Sequence, residues 1–255
     1  MLTELFVAFM FLTILAGLVI EVMSIFSPKP RKTALIIVDP QYDFCQGGSL
    51  AVDDAAAIFP EINVLRKKVN FHKVFITQDW HPNEHVSFAP THNKEPFTKV
   101  TNTINYNMKS ITYEQDLWPI HCVAYSKGAQ FHHELVTNPS DIVIRKGTLK
   151  GVDSYSGFGD SFGNQIEKTD LDYYLKYDDI TDVVVCGLAT DFCVQATALN
   201  ALKYKFNVSV IKSTVRGAMK DTTDEAFRRM QNRGVQLFET VTEYINYITQ
   251  VADFC

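Results

Sequence analysis

Four side chains able to do covalent chemistry stand at or just beyond the ends of short apolar runs. Asp39 follows Ala34–Val38, Asp79 follows Val74–Thr77, and Lys146 follows Asp141–Ile144. A fourth run, Asp182–Cys186, leads through Gly187-Leu188-Ala189-Thr190-Asp191-Phe192 to Cys193. Val194, Ala198, Leu199 and Leu202 recur at helical spacing after it, with Thr190 or Asp191 placed to cap the start. A thiol in a first helical turn feels the positive end of the helix dipole, which lowers its pKa. The unpartnered first-turn amides can donate to an oxyanion. Asp39, in an apolar setting, is suited by a raised pKa to act as a base, and Lys146 can stabilise a thiolate. This set of groups is what nucleophilic hydrolysis of an amide requires. Singly, each residue reads as a loop or cap residue, and Cys193 as a small buried hydrophobe like Cys186. All four at one crevice is a different matter.

A second constellation suits a metal. In Asp79-Trp80-His81 the carboxylate and the imidazole are two apart, so an extended backbone puts them on one face. His85 follows four residues later, and His121 lies in Trp118-Pro119-Ile120-His121-Cys122. One Asp with two or three His suits Zn²⁺, Fe²⁺ or Mn²⁺. Cys122 is a second choice beside His121. His72, His92, His132 and His133 read as hydrogen-bonding loop residues. No phosphate-binding glycine motif is present.

The elements that must position these residues alternate. Strands are expected at Ala34–Val38, Val74–Thr77, Asp141–Ile144, Asp182–Cys186, Asn207–Ile211 and Val235–Phe238, each short, apolar and rich in β-branched or aromatic residues. Helices are expected at Ala55–Asn70, Gly128–Val136, Asp170–Tyr177, Cys193–Tyr204, Thr222–Asn232 and Val241–Val251. This order predicts an α/β fold, a doubly wound, Rossmann-like, mostly parallel sheet of about six strands flanked by helices. Ligands then bind beyond the carboxyl ends of the strands. Ala89–Leu117 breaks the rhythm and reads as a long lid or binding loop.

The chain has 255 residues with 24 Lys+Arg against 29 Asp+Glu, a net charge of −5. Without basic clusters it is not expected to bind nucleic acid. Five widely spread cysteines with no CxxC pair argue against a cysteine zinc site and a disulfide framework. Leu5–Ile20 carries no charge, and apolar character continues past Glu21 to Phe26. It is expected to be a single N-terminal membrane helix (residues 5–26), because a signal peptide would need a basic start that Met1-Leu2-Thr3-Glu4 lacks. Lys29, Arg31 and Lys32 follow it and would hold the rest of the chain on the cytoplasmic side; the alternative is a cytoplasmic protein without an anchor. The expected division is an anchor and linker (residues 1–32) followed by one domain (residues 33–255). Asn207-Val208-Ser209 matches a glycosylation pattern but falls inside an expected strand, where a glycan has no room.

Together the motifs resemble the nicotinamidase (pyrazinamidase) branch of the isochorismatase-like cysteine hydrolases. The likeness runs from Thr33 to the last strand. It is carried by Leu35-Ile36-Ile37-Val38-Asp39-Pro40-Gln41-Tyr42-Asp43-Phe44, Gln46-Gly47-Gly48-Ser49-Leu50, Asp79-Trp80-His81-Pro82 with His85, Trp118-Pro119-Ile120-His121-Cys122, Lys146-Gly147, and Gly187-Leu188-Ala189-Thr190-Asp191-Phe192-Cys193-Val194. The resemblance implies a catalytic triad of Asp39, Lys146 and Cys193. It implies an oxyanion hole from the amides of Ala189 and Cys193, with a cis peptide between Leu188 and Ala189. It implies one divalent metal on Asp79, His81 and His121, zinc first with iron or manganese as alternatives, binding the substrate ring nitrogen. Phe44, Trp118 and Tyr155 would line the ring pocket. The implied activity is hydrolysis of nicotinamide to nicotinate and ammonia through a Cys thioester, in NAD salvage. The rival readings are a related hydrolase of another small amide and a catalytically silent nicotinamide-binding protein. Whether His85 is a ligand stays open at this point, as does the oligomeric state, with which a homo-oligomer is compatible.

Overall fold

Along the chain the strands are β1 (Thr33–Val38), β2 (Lys73–Asp79), β3 (Thr98–Tyr106), β4 (Lys109–Leu117), β5 (Ile142–Lys146), β6 (Asp182–Leu188), β7 (Asn207–Arg216) and β8 (Gln236–Phe238). The helices are α1 (Ile58–Lys68), α2 (Leu171–Tyr177), α3 (Gln195–Lys203), α4 (Lys220–Arg233) and α5 (Val241–Asp253). The structure is a computed structural model that describes residues 31–160, 162 and 166–253. The apolar stretch expected to form a membrane helix, residues 5–26, lies outside the described residues. Among the described residues no helix is long and apolar enough to cross a membrane.

Six strands form one parallel sheet in the order β5-β2-β1-β6-β7-β8. Counted in order of appearance within this sheet, that is 3-2-1-4-5-6, the doubly wound order expected. Its switch point lies between β1 and β6. Those two central strands are apolar on both faces and buried nearly end to end, which explains why they read as unbroken hydrophobic runs. Helices α1 and α5 pack on each other, as do α3 and α4.

Two expectations fail. Ala89–Leu117 is not an irregular loop: after a short helical turn (Ala89–His92) it forms the antiparallel hairpin β3–β4. Asn107 and Met108 make its two-residue turn, both with positive φ (50° and 62°), as the twist of such a hairpin requires. Gly128–Val136 is not a helix. Its carbonyls are taken from outside: Gly128 and Gln130 accept the amides of Asp43 and Tyr42, and Ala129 accepts the side-chain amides of Gln41 and Gln78. Helical bonds would have to displace these partners.

Candidate active site

The sheet order sets four functional residues side by side. Strands β5, β2, β1 and β6 are neighbours, and their carboxyl ends deliver Lys146, Asp79, Asp39 and the segment leading to Cys193. Asp79 and Lys146 are register partners, as are Val38 and Gly187. A Cβ on Gly187 (φ 111°) would sit 2.1 Å from the Val38 carbonyl oxygen, so only glycine lets the β6 exit lie this close to β1. The peptide between Leu188 and Ala189 is cis, as expected. Thr190–Val194 then makes one π-helical turn into α3, with Cys193 buried in it.

Lys146 is the hub. Its Nζ, fully buried, lies 2.8 Å from Asp39 Oδ2 and 2.5 Å from Asp79 Oδ1. It also donates to the Ser154 carbonyl at 3.1 Å and to Cys193 Sγ at 3.4 Å. Cys193 Sγ and oxygens of Asp39 and Asp79 all lie within 4.8 Å of one another. Thr77 Oγ1 donates to Asp39 Oδ1 at 2.6 Å and accepts the Asp39 amide at 3.1 Å. Gln41 accepts the Asp79 amide and donates to the Asp79 carbonyl, both at 2.8 Å. Sequence reasoning passed over Thr77 and Gln41. Their signal is local, a polar residue inside a β-strand and one just past a strand end, but their partners lie 38 residues away.

The site sorts its protons by position. Burial raises the Asp39 pKa, with Asp79 adding to the rise and Lys146 opposing it. Burial alone would also raise Asp79, but Lys146 and His81 hold it well below the usual carboxylate range. Burial would strip the Lys146 proton, and Asp39, Asp79 and Cys193 together keep its pKa well above normal. The expectation of a lowered thiol pKa is corrected here. Burial pushes the Cys193 thiol well above its ordinary value, with Lys146 opposing the rise and Asp39 and Asp79 adding to it. Both shifts favour a neutral thiol at Cys193 and a raised proton affinity at Asp39. The expected caps are corrected too. Neither Thr190 nor Asp191 caps α3; Asp191 instead accepts the amides of Ala218 and Met219 and the Thr222 hydroxyl at the start of α4.

Asp79, His81 and His121 have ligand atoms within 4.8 Å of one another, and all three are buried. His81 Nε2 is 3.5 Å and His121 Nε2 4.0 Å from Asp79 Oδ2. Each ring gives its Nδ1 proton to a backbone carbonyl, His81 to Gly147 at 2.9 Å and His121 to Pro119 at 2.8 Å. A carbonyl can only accept, so Nδ1 of each ring carries a proton and Nε2 is the atom turned to the carboxylate; Asp79 overcomes burial and raises the His81 pKa, so a metal there would take the place of a proton on Nε2. This tautomer and second-partner pattern is the one metal-ligating histidines adopt, and the donor set fits a divalent ion. His85 is different. Its Nε2 donates to the Val152 carbonyl at 3.1 Å and its Nδ1 is engaged by the Ser87 hydroxyl at 2.8 Å, although His85 also forms a second buried group with His81 and Asp153 whose ligand atoms lie within 4.8 Å of one another. It stacks on His81, ring centroids 4.1 Å apart. Cys122 belongs to no such ligand group among the described residues; its amide donates to Asp43 Oδ2 at 2.7 Å.

Aromatic rings surround these groups. Phe44 is buried 5.7 Å from the His121 ring. Trp118 Nε1 donates to the Tyr155 hydroxyl at 3.1 Å, and Phe192 meets both rings, edge-on to Trp118 at 5.0 Å and tilted to Tyr155 at 5.8 Å. Phe192, next to Cys193 in sequence, was not among the expected wall residues. Beyond Trp118 and Phe192 lies a groove of about 580 Å³ that Phe97 and Met219 also line.

Known proteins resemble this chain over most of its length. The isochorismatase domain model matches residues 33–242. A curated nicotinamidase of Acinetobacter baylyi is 40% identical over 210 residues, which is 82% of this chain and 92% of that protein. The solved yeast nicotinamidase bound to the inhibitor nicotinaldehyde superposes with a TM-score of 0.77 at 28% identity, covering 82% of this chain and all of that one (100%). The pyrazinamidase of Pyrococcus horikoshii in complex with zinc gives a TM-score of 0.65 at 31% identity, covering 81% of this chain and 98% of that one.

Proposed function

The chain belongs to the isochorismatase domain family, and within it we propose that the protein is a nicotinamidase, an amidohydrolase that converts nicotinamide and water to nicotinate and ammonia. The reading is carried by one observation: a single buried ammonium, Lys146, touches the base, the nucleophile and the carboxylate of the metal cluster.

Asp39 takes the thiol proton as Cys193 Sγ attacks the carboxamide carbon, forming the C–S bond. The carbonyl oxygen becomes an oxyanion held by the amides of Ala189 and Cys193. Collapse breaks the C–N bond, and the amine leaves as ammonia with the proton from Asp39. Asp39 then takes a proton from water as its oxygen attacks the thioester. The C–S bond breaks, Cys193 recovers its proton, and nicotinate is released. Lys146 offsets the buried negative charge throughout and orients Asp39. Phe44, Trp118 and Tyr155, with Phe192, hold the ring. Asp79, His81 and His121 would hold one divalent ion, zinc before iron or manganese, which when bound supplies a Lewis acid for the pyridine nitrogen and so fixes the ring's orientation. The zinc complex of the Pyrococcus pyrazinamidase supports that choice of metal.

Residues 33–255 form the catalytic domain in this reading, and residues 5–26 anchor it with the domain facing the cytoplasm. Fractionation of cells expressing the full chain tests the anchor. Release into the soluble fraction without detergent would end that part of the proposal. For the reaction, ammonia release from nicotinamide is compared between wild type and Cys193→Ala. Loss of turnover in the variant is expected. Near-normal turnover would refute the mechanism, and an inactive wild type would favour another small amide or a silent nicotinamide-binding protein.

A further inference from the structure

Glu167 takes no part in the chemistry above, yet it is buried and accepts four hydrogen bonds. Its Oε2 accepts the Gly147 amide at 3.0 Å and the Ser154 hydroxyl. Its Oε1 accepts the Thr148 amide at 2.7 Å and the Thr148 hydroxyl at 2.6 Å. The carboxylate therefore ties together both ends of the loop that leaves β5 just after Lys146. It is itself held from behind. Asp160 accepts the amides of Ile166 and Glu167, both at 2.6 Å, and its own amide donates to the Glu167 carbonyl at 2.9 Å.

The two residues it grips at Oε2 each orient a functional group. The Gly147 carbonyl accepts the His81 Nδ1 proton at 2.9 Å, which aims Nε2 at Asp79. The Ser154 carbonyl accepts from Lys146 Nζ at 3.1 Å. One carboxylate thus sits one residue behind the metal cluster and one residue behind the ammonium hub. We propose that Glu167 is a positioning residue that sets the metal-ligating geometry of His81 and the seat of Lys146 at the same time, through the backbone of Gly147 and Ser154. A carboxylate is suited to this because it has no proton of its own to oppose four converging donors.

The inference rests on the nicotinamidase reading for its kinetic readout and on the Asp79, His81, His121 cluster for its metal readout. The test uses the full chain loaded with zinc and the variants Glu167→Ala, Glu167→Gln and Ser154→Ala. Zinc affinity is measured by chelator competition, kcat and KM by ammonia release from nicotinamide, and folding by thermal melting. Glu167→Ala is expected to weaken zinc by about 10- to 100-fold and to lower kcat alongside, the range seen when a partner of a metal-ligating histidine is lost. Glu167→Gln keeps one accepting oxygen and should recover part of both. Ser154→Ala cuts the Glu167 bond behind the Lys146 seat but leaves the Gly147 bond behind His81, so it should lower kcat with little change in zinc affinity. A merely structural staple would lower the melting temperature and leave zinc affinity and kcat alone. A folded Glu167→Ala protein with both values within about twofold of wild type overturns the proposal. If that variant does not fold, a Glu167→Gln protein unchanged in both overturns it equally. An inactive wild type would refute the nicotinamidase reading, while the zinc titration would still decide the role of Glu167.

Discussion

Gly147→Ala tests how rigidly the metal cluster is held. Gly147 follows Lys146 with φ 62°, and a Cβ there would lie 2.4 Å from His81 Cε1 and 2.6 Å from its Nδ1. Ordinary contact begins near 3.4 Å, so the ring would have to move by about 1 Å. It has nowhere to go. His85 stacks on it with centroids 4.1 Å apart, and His121 and Phe88 meet it in T-shaped contacts with centroids 5.0 and 5.6 Å away. The left-handed backbone adds roughly 1–2 kcal/mol of strain for alanine. A misplacement of about 1 Å costs on the order of 100-fold in a positioned reaction, so kcat/KM for nicotinamide should fall by about that factor, with zinc affinity about 10- to 100-fold weaker. Ammonia release and chelator competition measure both. Gly151→Ala, with nothing within 4 Å of the added methyl, serves as the control and should behave as wild type. A Gly147→Ala enzyme within about threefold of wild type would refute the reasoning, because it would mean that His81 has slack the packing does not show.

Three further outcomes are expected. Asp39 must be ionised to accept the thiol proton, and its pKa is raised above 3.8; kcat/KM should therefore fall as pH drops through a point above the ordinary carboxylate range. A pH–rate profile with its acid limb at or below that range would contradict this. Chelating the metal should raise KM more than it lowers the rate of acyl transfer at saturation, and zinc should restore the original KM; the comparison is steady-state kinetics before and after dialysis with chelator. Phe192→Ala removes aromatic contacts with Trp118 and Tyr155 worth about 0.5–1.5 kcal/mol and should raise KM by about 2- to 10-fold with kcat little changed. An unaltered KM would remove Phe192 from the ring pocket.

The sheet was legible because its central strands are apolar on both faces, so Leu35–Val38 and Val183–Cys186 announce themselves without any tertiary information. The hairpin was hidden for the opposite reason. One face of β3 carries Val100 and Ile104 but also Asn102, which breaks the apolar alternation, and the other face is exposed. Gly128–Val136 misled because helix propensity is a weak prior. Its Ala, Gln, Glu and Leu favour a helix, but Gln41 and Gln78, distant in sequence, hold the Ala129 carbonyl.

That Asp39, Asp79, Lys146 and Cys193 meet could be read from residue type and strand-end position, since a doubly wound sheet brings its carboxyl ends to one crevice whatever the details, while their roles and the choice of His81 and His121 as ligands came from the family resemblance. Their protonation could not be read that way. The helix start and Lys146 argued for a thiolate at Cys193, whereas burial beside Asp39 and Asp79 favours the thiol. Nor could the Nδ1 partners of His81 and His121, the engagement of His85 by Val152 and Ser87, or the grip of Glu167 be read from the chain. Each depends on which carbonyl or amide lies about 3 Å away across the fold, and hydrogen bonding falls off too steeply with distance and angle for sequence spacing to specify it.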